Sequence, residues 1–172
     1  MKIAVDASGG DYAPHEIIKG AIKAANEFEV DITLVGRRNV IHVIGGKLLK
    51  KTRIEIVNAT QVIDYNESPM KAVQSKTKSS IVIGTNLVKS GKADAFVSAG
   101  NTGAVLVAAL MILGRVKGVE RPAIGAFLDT ILEKPALLVD AGANADCRAA
   151  HLLQFAKMGS LYSKRILGLE AP

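Results

Sequence analysis

Ala95-Phe96-Val97-Ser98-Ala99-Gly100-Asn101-Thr102-Gly103-Ala104, with the apolar run to Leu113 behind it, reads as a short buried strand, a glycine turn and a helix. Asn101 and Thr102 are good helix N-caps, because their side-chain oxygens accept backbone N–H groups that the first helical turn leaves unpaired. Gly100 and Gly103 have no Cβ, so the chain can turn sharply and a ligand can approach the backbone. A helix start of this kind offers free N–H donors and the positive end of the helix dipole, which suits an anion such as phosphate. The same residues would also serve as a plain strand-to-helix turn in an α/β protein.

Outward from this stretch, the 172 residues suit one α/β domain able to bury a substantial core. Apolar residues are mainly Val, Ile, Ala and Leu, glycine is plentiful and tryptophan absent, which favours an α/β sheet over a β-sandwich. The net charge of +6 is dispersed. Its densest cluster, Lys47, Lys50, Lys51 and Arg53, has no interleaved aromatics, so a solvated face is expected rather than a nucleic-acid surface. Acidic or phosphorylated partners remain compatible with it. Cys147 is the only cysteine, which rules out an intramolecular disulfide and suits a reducing cytoplasm. The N-terminus reaches Asp6 after a very short apolar run, unlike a signal peptide. The run Ala104 to Leu113 falls far short of the ~20 residues of a membrane span and reads as a helix buried in the domain.

Strands are expected at Ile3–Val5, Asp31–Val35, Ile54–Val57 and Ala95–Ser98, the last central in a parallel sheet. Helices are expected after Pro14, over Asn39–Lys50, near Met70–Lys76 and from Ser79 or Ser80 to about Lys89. Ala123–Leu128 and Ala136–Asp140 are strand-like runs whose short Lys134-Pro135 connection cannot hold a crossover helix, so they should pair antiparallel within the otherwise parallel sheet. The last helix, about Ala149–Leu167, is expected to turn Leu152, Leu153, Ala156, Leu161 and Ile166 inward. Ending on such a helix and Pro172, the chain reads as the N-terminal part of a longer domain. Three polar glycine loops follow strands, at Asp6–Asp11, Ser98–Thr102 and Asp140–Asp146, and should converge on one crevice. The first lacks both the dinucleotide fingerprint and the P-loop pattern.

Several blocks resemble, in order, the signature of the PlsX family of phosphate acyltransferases. They are Asp6-Ala7-Ser8-Gly9-Gly10-Asp11-Tyr12-Ala13-Pro14, Ser68-Pro69 with Lys76 and Ser79-Ser80, Lys92 to Ala104, Arg121-Pro122-Ala123, and Asp140 to Cys147 with His151 to Ala156. Departures stand at Ser8, where the family usually has Met, at Gln74, where Arg is common, and at Lys78, where an acid is usual. The resemblance implies a three-layer α/β/α sandwich, mostly parallel with an antiparallel pair, similar to the fold of phosphotransacetylases and isocitrate or isopropylmalate dehydrogenases. It implies transfer of a fatty acyl group from acyl carrier protein to inorganic phosphate, giving acyl phosphate for phospholipid synthesis. A homodimer and peripheral membrane association of the full-length enzyme are implied too, although no segment here has a strongly amphipathic face for a membrane. No cofactor and no metal are implied. A silent half-domain that only binds carrier protein or phosphate, and a phosphotransacetylase acting on acyl-coenzyme A, are the alternatives.

Phosphate is anionic at neutral pH, so the chemistry needs no activated Ser or Cys. It needs proximity to the thioester and N–H donors for the oxyanion. Asn101, Ser98 and Asp6 are expected to carry the chemistry. Gly9, Gly10, Asp11, Gly100, Thr102, Gly103, Asp140, Gly142, Asn144 and His151 are expected to bind substrate or phosphate. Asp6 and Asp11 should order the first loop, and both also suit simple turn caps. Asn144, Asp146, Cys147 and His151 match no established zinc spacing. Asn101→Ala should cut turnover at a stability cost of only ~1 kcal/mol, that of a lost cap.

Overall fold

Lys2–Asp6 begins the chain as a strand, β1, because its alternating small and branched apolar residues can be covered on both faces. The computed structural model describes residues 1–131 and 134–169, and these fall into two units, Met1–Gly114 and Arg115–Pro172. The expected interruption at Pro172 lies outside the described residues.

In the first unit, β1 is followed by α1 (His15–Glu27), β2 (Asp31–Gly36), α2 (Arg38–Gly45), a 3₁₀ turn (Leu49–Lys51) and β3 (Ile54–Asn58). Then come α3 (Pro69–Ser75), α4 (Ser80–Lys89), β4 (Ala95–Val97) and α5 (Thr102–Ala108), which runs into a π-helical turn, Ala109–Leu113. All four strands are parallel, in the order β3-β2-β1-β4. Ile32 and Leu34 of β2 pack with Ile18, Ala21, Ile22 and Ala25 of α1 and Ile41 of α2 on one face. Val35 and Ala4 pack with Ala59 and Ala93 on the other, against Ile83, Leu87 and Val88 of α4. Helices thus cover both faces of a parallel sheet, the α/β/α layering expected.

Several local expectations change. β4 is not central: three residues long, it pairs with β1 alone in this unit, while β1 and β2 are paired on both sides. The helix expected to reach Lys50 ends at Gly45, because Gly46 takes a φ of +49° that only glycine adopts easily. The run Ala104–Leu113 is not enclosed. Only Ala104 and Ala108 are fully buried, against Ile63, Ala72, Ile81 and Val82, and Met111 and Leu113 are exposed.

In the second unit, β5 (Gly125–Leu128) and β6 (Ala136–Val139) pair antiparallel, as the short connection requires, but as a two-stranded sheet of their own. The helix α6 (Ala149–Arg165) buries His151, Phe155, Gly159 and Ser163, one residue every four. The expected inward set, Leu152, Leu153, Ala156, Leu161 and Ile166, is exposed instead. The reason is close approach to the sheet. A Cβ on Gly159 would lie 2.7 Å from Val139 Cγ2, so the stripe with the smallest residue at its middle faces β6. No helix among the described residues is long and apolar enough to cross a membrane.

The exchanged face of α6 is directly testable in this chain. Phe155→Ala should destabilise it by about 3–5 kcal/mol, whereas Leu153→Ala should stay within about 0.5 kcal/mol, both read from urea unfolding.

Candidate active site at the β1 and β4 turns

The strand order reverses beside β1: the chain builds β1, β2 and β3 to one side, then returns to place β4 on the other. Ligands of open α/β sheets bind at the carboxyl ends of strands at such a switch point. Here those ends are the Asp6 and Ser98 turns.

Asp6, only 1% exposed, joins them. Its Oδ1 accepts from Ser8 N–H at 2.9 Å and Gly9 N–H at 3.1 Å, an Asx-type turn that folds the first loop. Its Oδ2 accepts from Ser98 Oγ at 2.8 Å, and Ser98 Oγ in turn accepts from Gly100 N–H at 3.0 Å. The glycines follow from how close the two backbones come. A Cβ on Gly9 would lie 2.5 Å from Asp6 Oδ2 and 2.8 Å from Gly100 Cα, which no side chain tolerates. Gly10 has a φ of +125°.

Asn101 caps α5, its Oδ1 accepting from Ala104 N–H at 2.9 Å. Its Nδ2 lies 3.1, 3.2 and 3.4 Å from the carbonyls of Asp64, Tyr65 and Glu67, so the loop after β3 hangs on the same side chain. Tyr65 hydroxyl donates back to Ala99 O at 2.6 Å. The side chains of Asp6, Ser98 and Asn101 are therefore engaged inside the protein. The backbone N–H groups of Gly10, Thr102 and Gly103 find no acceptor among the described residues. Thr102 and Asp11 are exposed, and the Asp11 side chain has no hydrogen bond or ion pair among the described residues. Chemically, the arrangement is a rigid pair of turns presenting backbone donors to an anion.

The third expected loop lies in the second unit. Asp140, at φ +66°, accepts from Asn144 Nδ2 at 3.0 Å, and Asn144 Nδ2 also reaches Pro122 O at 2.9 Å. Gly142 has a φ of +96°, and Cys147 Sγ stands 3.8 Å from Asp140 Oδ2. His151 is buried at the start of α6. Its Nδ1 accepts from Arg148 N–H at 3.2 Å, and its Nε2 lies 3.1 Å from both Glu120 Oε2 and Arg148 Nη2.

A cleft of about 620 Å3 flanks the first turn, lined in part by Ser8, Arg37, Gln61, Asp64 and Lys76. None of these five is among the expected site residues, although Ser8 and Lys76 stand in the blocks that carry the resemblance. Arg37 directly follows the last residue of β2, so the rule that pointed to the other strand ends, applied to Gly36, reaches it as well. Lys76 Nζ is held by Glu67 at 2.5 Å and Val62 O at 2.7 Å. The Lys76 hydrogen bond, helped by Asp64 N–H, holds the Glu67 carboxyl below its ordinary value of 4.5.

Two outcomes follow. Asn101→Ala should cost about 2–3 kcal/mol rather than the ~1 of a lost cap, because loop carbonyls lose their donor; Asn101→Asp keeps the cap oxygen and should still lose loop order, seen as faster hydrogen exchange at residues 64–67. For Glu67 the folded carboxyl is the stronger acid, so its contribution is present above the unfolded value and lost as pH falls through the folded one. Stability measured by urea from pH 7 to 3 should fall less steeply in Glu67→Gln.

A family model described as "Fatty acid synthesis protein" matches residues 1–172. A phosphate acyltransferase of Dehalococcoides mccartyi is 59% identical over 172 residues, covering 100% of this chain and 50% of the relative. Phosphate acyltransferases of Caldanaerobacter subterraneus subsp. tengcongensis and Gloeothece citriformis are 46% and 51% identical, covering 100% and 99% of this chain. The chain spans about half the length of these curated relatives. With the family model matched from the first residue to the last, the chain belongs to the fatty acid synthesis protein family, that of the PlsX-type phosphate acyltransferases.

Proposed function

We propose that the chain is the N-terminal half of an acyltransferase that moves a fatty acyl group from acyl carrier protein to inorganic phosphate, giving acyl phosphate for phospholipid synthesis. The observation that carries this reading is the pair of turns locked by Asp6, which leaves the N–H groups of Gly10, Thr102 and Gly103 without acceptors among the described residues. Phosphate held there needs no base to become a nucleophile. One oxygen of hydrogen phosphate attacks the thioester carbonyl, the C–S bond breaks, and the carrier leaves as a thiolate that takes up the proton the phosphate gives up, ending as a thiol. The protein contributes orientation and N–H donors for the oxyanion, effects that together account for many orders of magnitude in acyl transfer.

On this reading Asp6 and Ser98 are positioning residues, and Asn101 holds the turn and the loop 64–67 together. Gly9, Gly10, Gly100, Thr102 and Gly103 form the phosphate cradle. Asp140, Gly142 and Asn144 shape the third loop and His151 the start of α6, all within the second unit. The complete enzyme works as a homodimer, in the cytoplasm and at the membrane surface where its product is used.

The test is acyl phosphate formation by the full-length protein, with carrier-protein thioester, coenzyme A thioester and no thioester compared. Activity with the carrier-protein thioester is expected. Preference for the coenzyme A thioester would point to a phosphotransacetylase, and phosphate binding without turnover to a silent binding module. Ser98→Ala should lower kcat/KM for phosphate about tenfold to a hundredfold, because the Gly100 N–H and the Asp6 carboxylate both lose a partner. Unchanged kinetics would remove these turns from the phosphate site.

A further inference from the structure

Tyr65, in the loop between β3 and α3, is 53% exposed. Burial gives such a ring little reason to keep one place. Its polar atoms give more. The Tyr65 carbonyl accepts from Asn101 Nδ2 at 3.2 Å, and its hydroxyl donates to Ala99 O at 2.6 Å. One residue is thus tied to positions 99 and 101, on either side of Gly100. The Ala99 oxygen accepts from no backbone N–H among the described residues, so the hydroxyl is its partner.

The peptide between Ala99 and Gly100 is therefore held at both ends. Its oxygen is taken by Tyr65, and its N–H donates to Ser98 Oγ at 3.0 Å. Glycine restricts rotation of this peptide plane less than any other residue would, so the two bonds are what fix it. Half a turn of the plane would exchange the directions of C=O and N–H and bring a carbonyl oxygen to the Ser98 side.

The Ala99 oxygen also lies near the first turn. A Cβ on Gly10 would stand 3.8 Å from it and 3.3 Å from Ala99 Cβ. Gly10 N–H is one of the donors assigned to phosphate. A carbonyl oxygen carries partial negative charge, so beside an anion it repels unless a donor occupies it. Ser98 cannot be that donor, because its proton is already given to Asp6 Oδ2 at 2.8 Å. We infer that Tyr65 is a positioning residue for phosphate: its hydroxyl fixes the Ala99–Gly100 peptide and masks the Ala99 oxygen from the anion. The inference rests on the phosphate cradle of the acyl-transfer reading and adds to it a residue from the loop after β3 that sets phosphate affinity.

The experiment compares full-length wild type with Tyr65→Phe, which keeps the half-exposed ring and removes only the hydroxyl. Inorganic phosphate is titrated into each and followed by amide chemical shifts, KM is measured for phosphate and for the thioester, and stability is read from urea unfolding. Tyr65→Phe should weaken phosphate about threefold to tenfold, in both Kd and KM, the scale of one hydrogen bond. KM for the thioester and the urea midpoint should stay at their wild-type values, a split that a merely structural role would not give. Phosphate bound by Tyr65→Phe as tightly as by wild type overturns the inference. So does a loss of phosphate affinity matched by an equal rise in KM for the thioester and a lower urea midpoint, which would make Tyr65 a structural residue of its loop. If wild type makes no acyl phosphate from any thioester while Tyr65→Phe still binds phosphate more weakly, the acyl-transfer reading falls and the role in anion binding stands. If phosphate leaves the amides of Gly10, Thr102 and Gly103 unmoved in wild type, the cradle falls and this role with it.

Discussion

The hydrogen bonds of one buried carboxylate hold the candidate site together. Asp6 sits at the end of β1, where the strand order reverses, and accepts from its own loop on one oxygen and from Ser98 on the other. Two chain segments 92 residues apart in sequence are thereby brought into backbone contact. A buried carboxylate without such partners would be costly; with three donors around it, it becomes a rigid joint. The Gly9–Gly100 approach exists because the joint is this short, and the glycines are needed because the approach is this close.

A division of labour follows. Asp6, Ser98 and Asn101 have their polar atoms committed to neighbouring loops, so they set the geometry, and backbone N–H groups are what the turns present. Such a cradle suits a substrate that is already a nucleophile, because the enzyme has to position and polarise rather than deprotonate. It also explains how Asn101 can matter so much without facing solvent: through one side chain it fixes the start of α5 and the loop 64–67 that borders the cleft.

Much of the fold was legible because β-strand ends and helix caps leave local marks. Gly36 and Gly91 closed their elements, Ser79 capped α4 by accepting from Val82 N–H, and the short link around Lys134-Pro135 forced an antiparallel pair. The readings that changed depended on information that no window of sequence carries. Strand order decides that β4 pairs with β1 alone, and an apolar strand looks the same at either position. For α6 the leucines suggested a face, but the small Gly159 decided the approach to β6. At the site, the Asp6 and Ser98 turns were both recognised as strand-end loops, while the hydrogen bond between them was not visible. Arg37 falls between the strand expected to end at Val35 and the helix expected from Asn39, so neither reading reaches it.

The central claim is that phosphate sits on the backbone donors of the two Asp6-locked turns. The most direct measurement is a phosphate titration of the isotope-labelled full-length protein, followed by amide chemical shifts. The account predicts saturable shifts, largest at Gly10, Thr102 and Gly103 and lost together in Asp6→Asn. Saturable shifts centred elsewhere, with these amides unmoved, would contradict it.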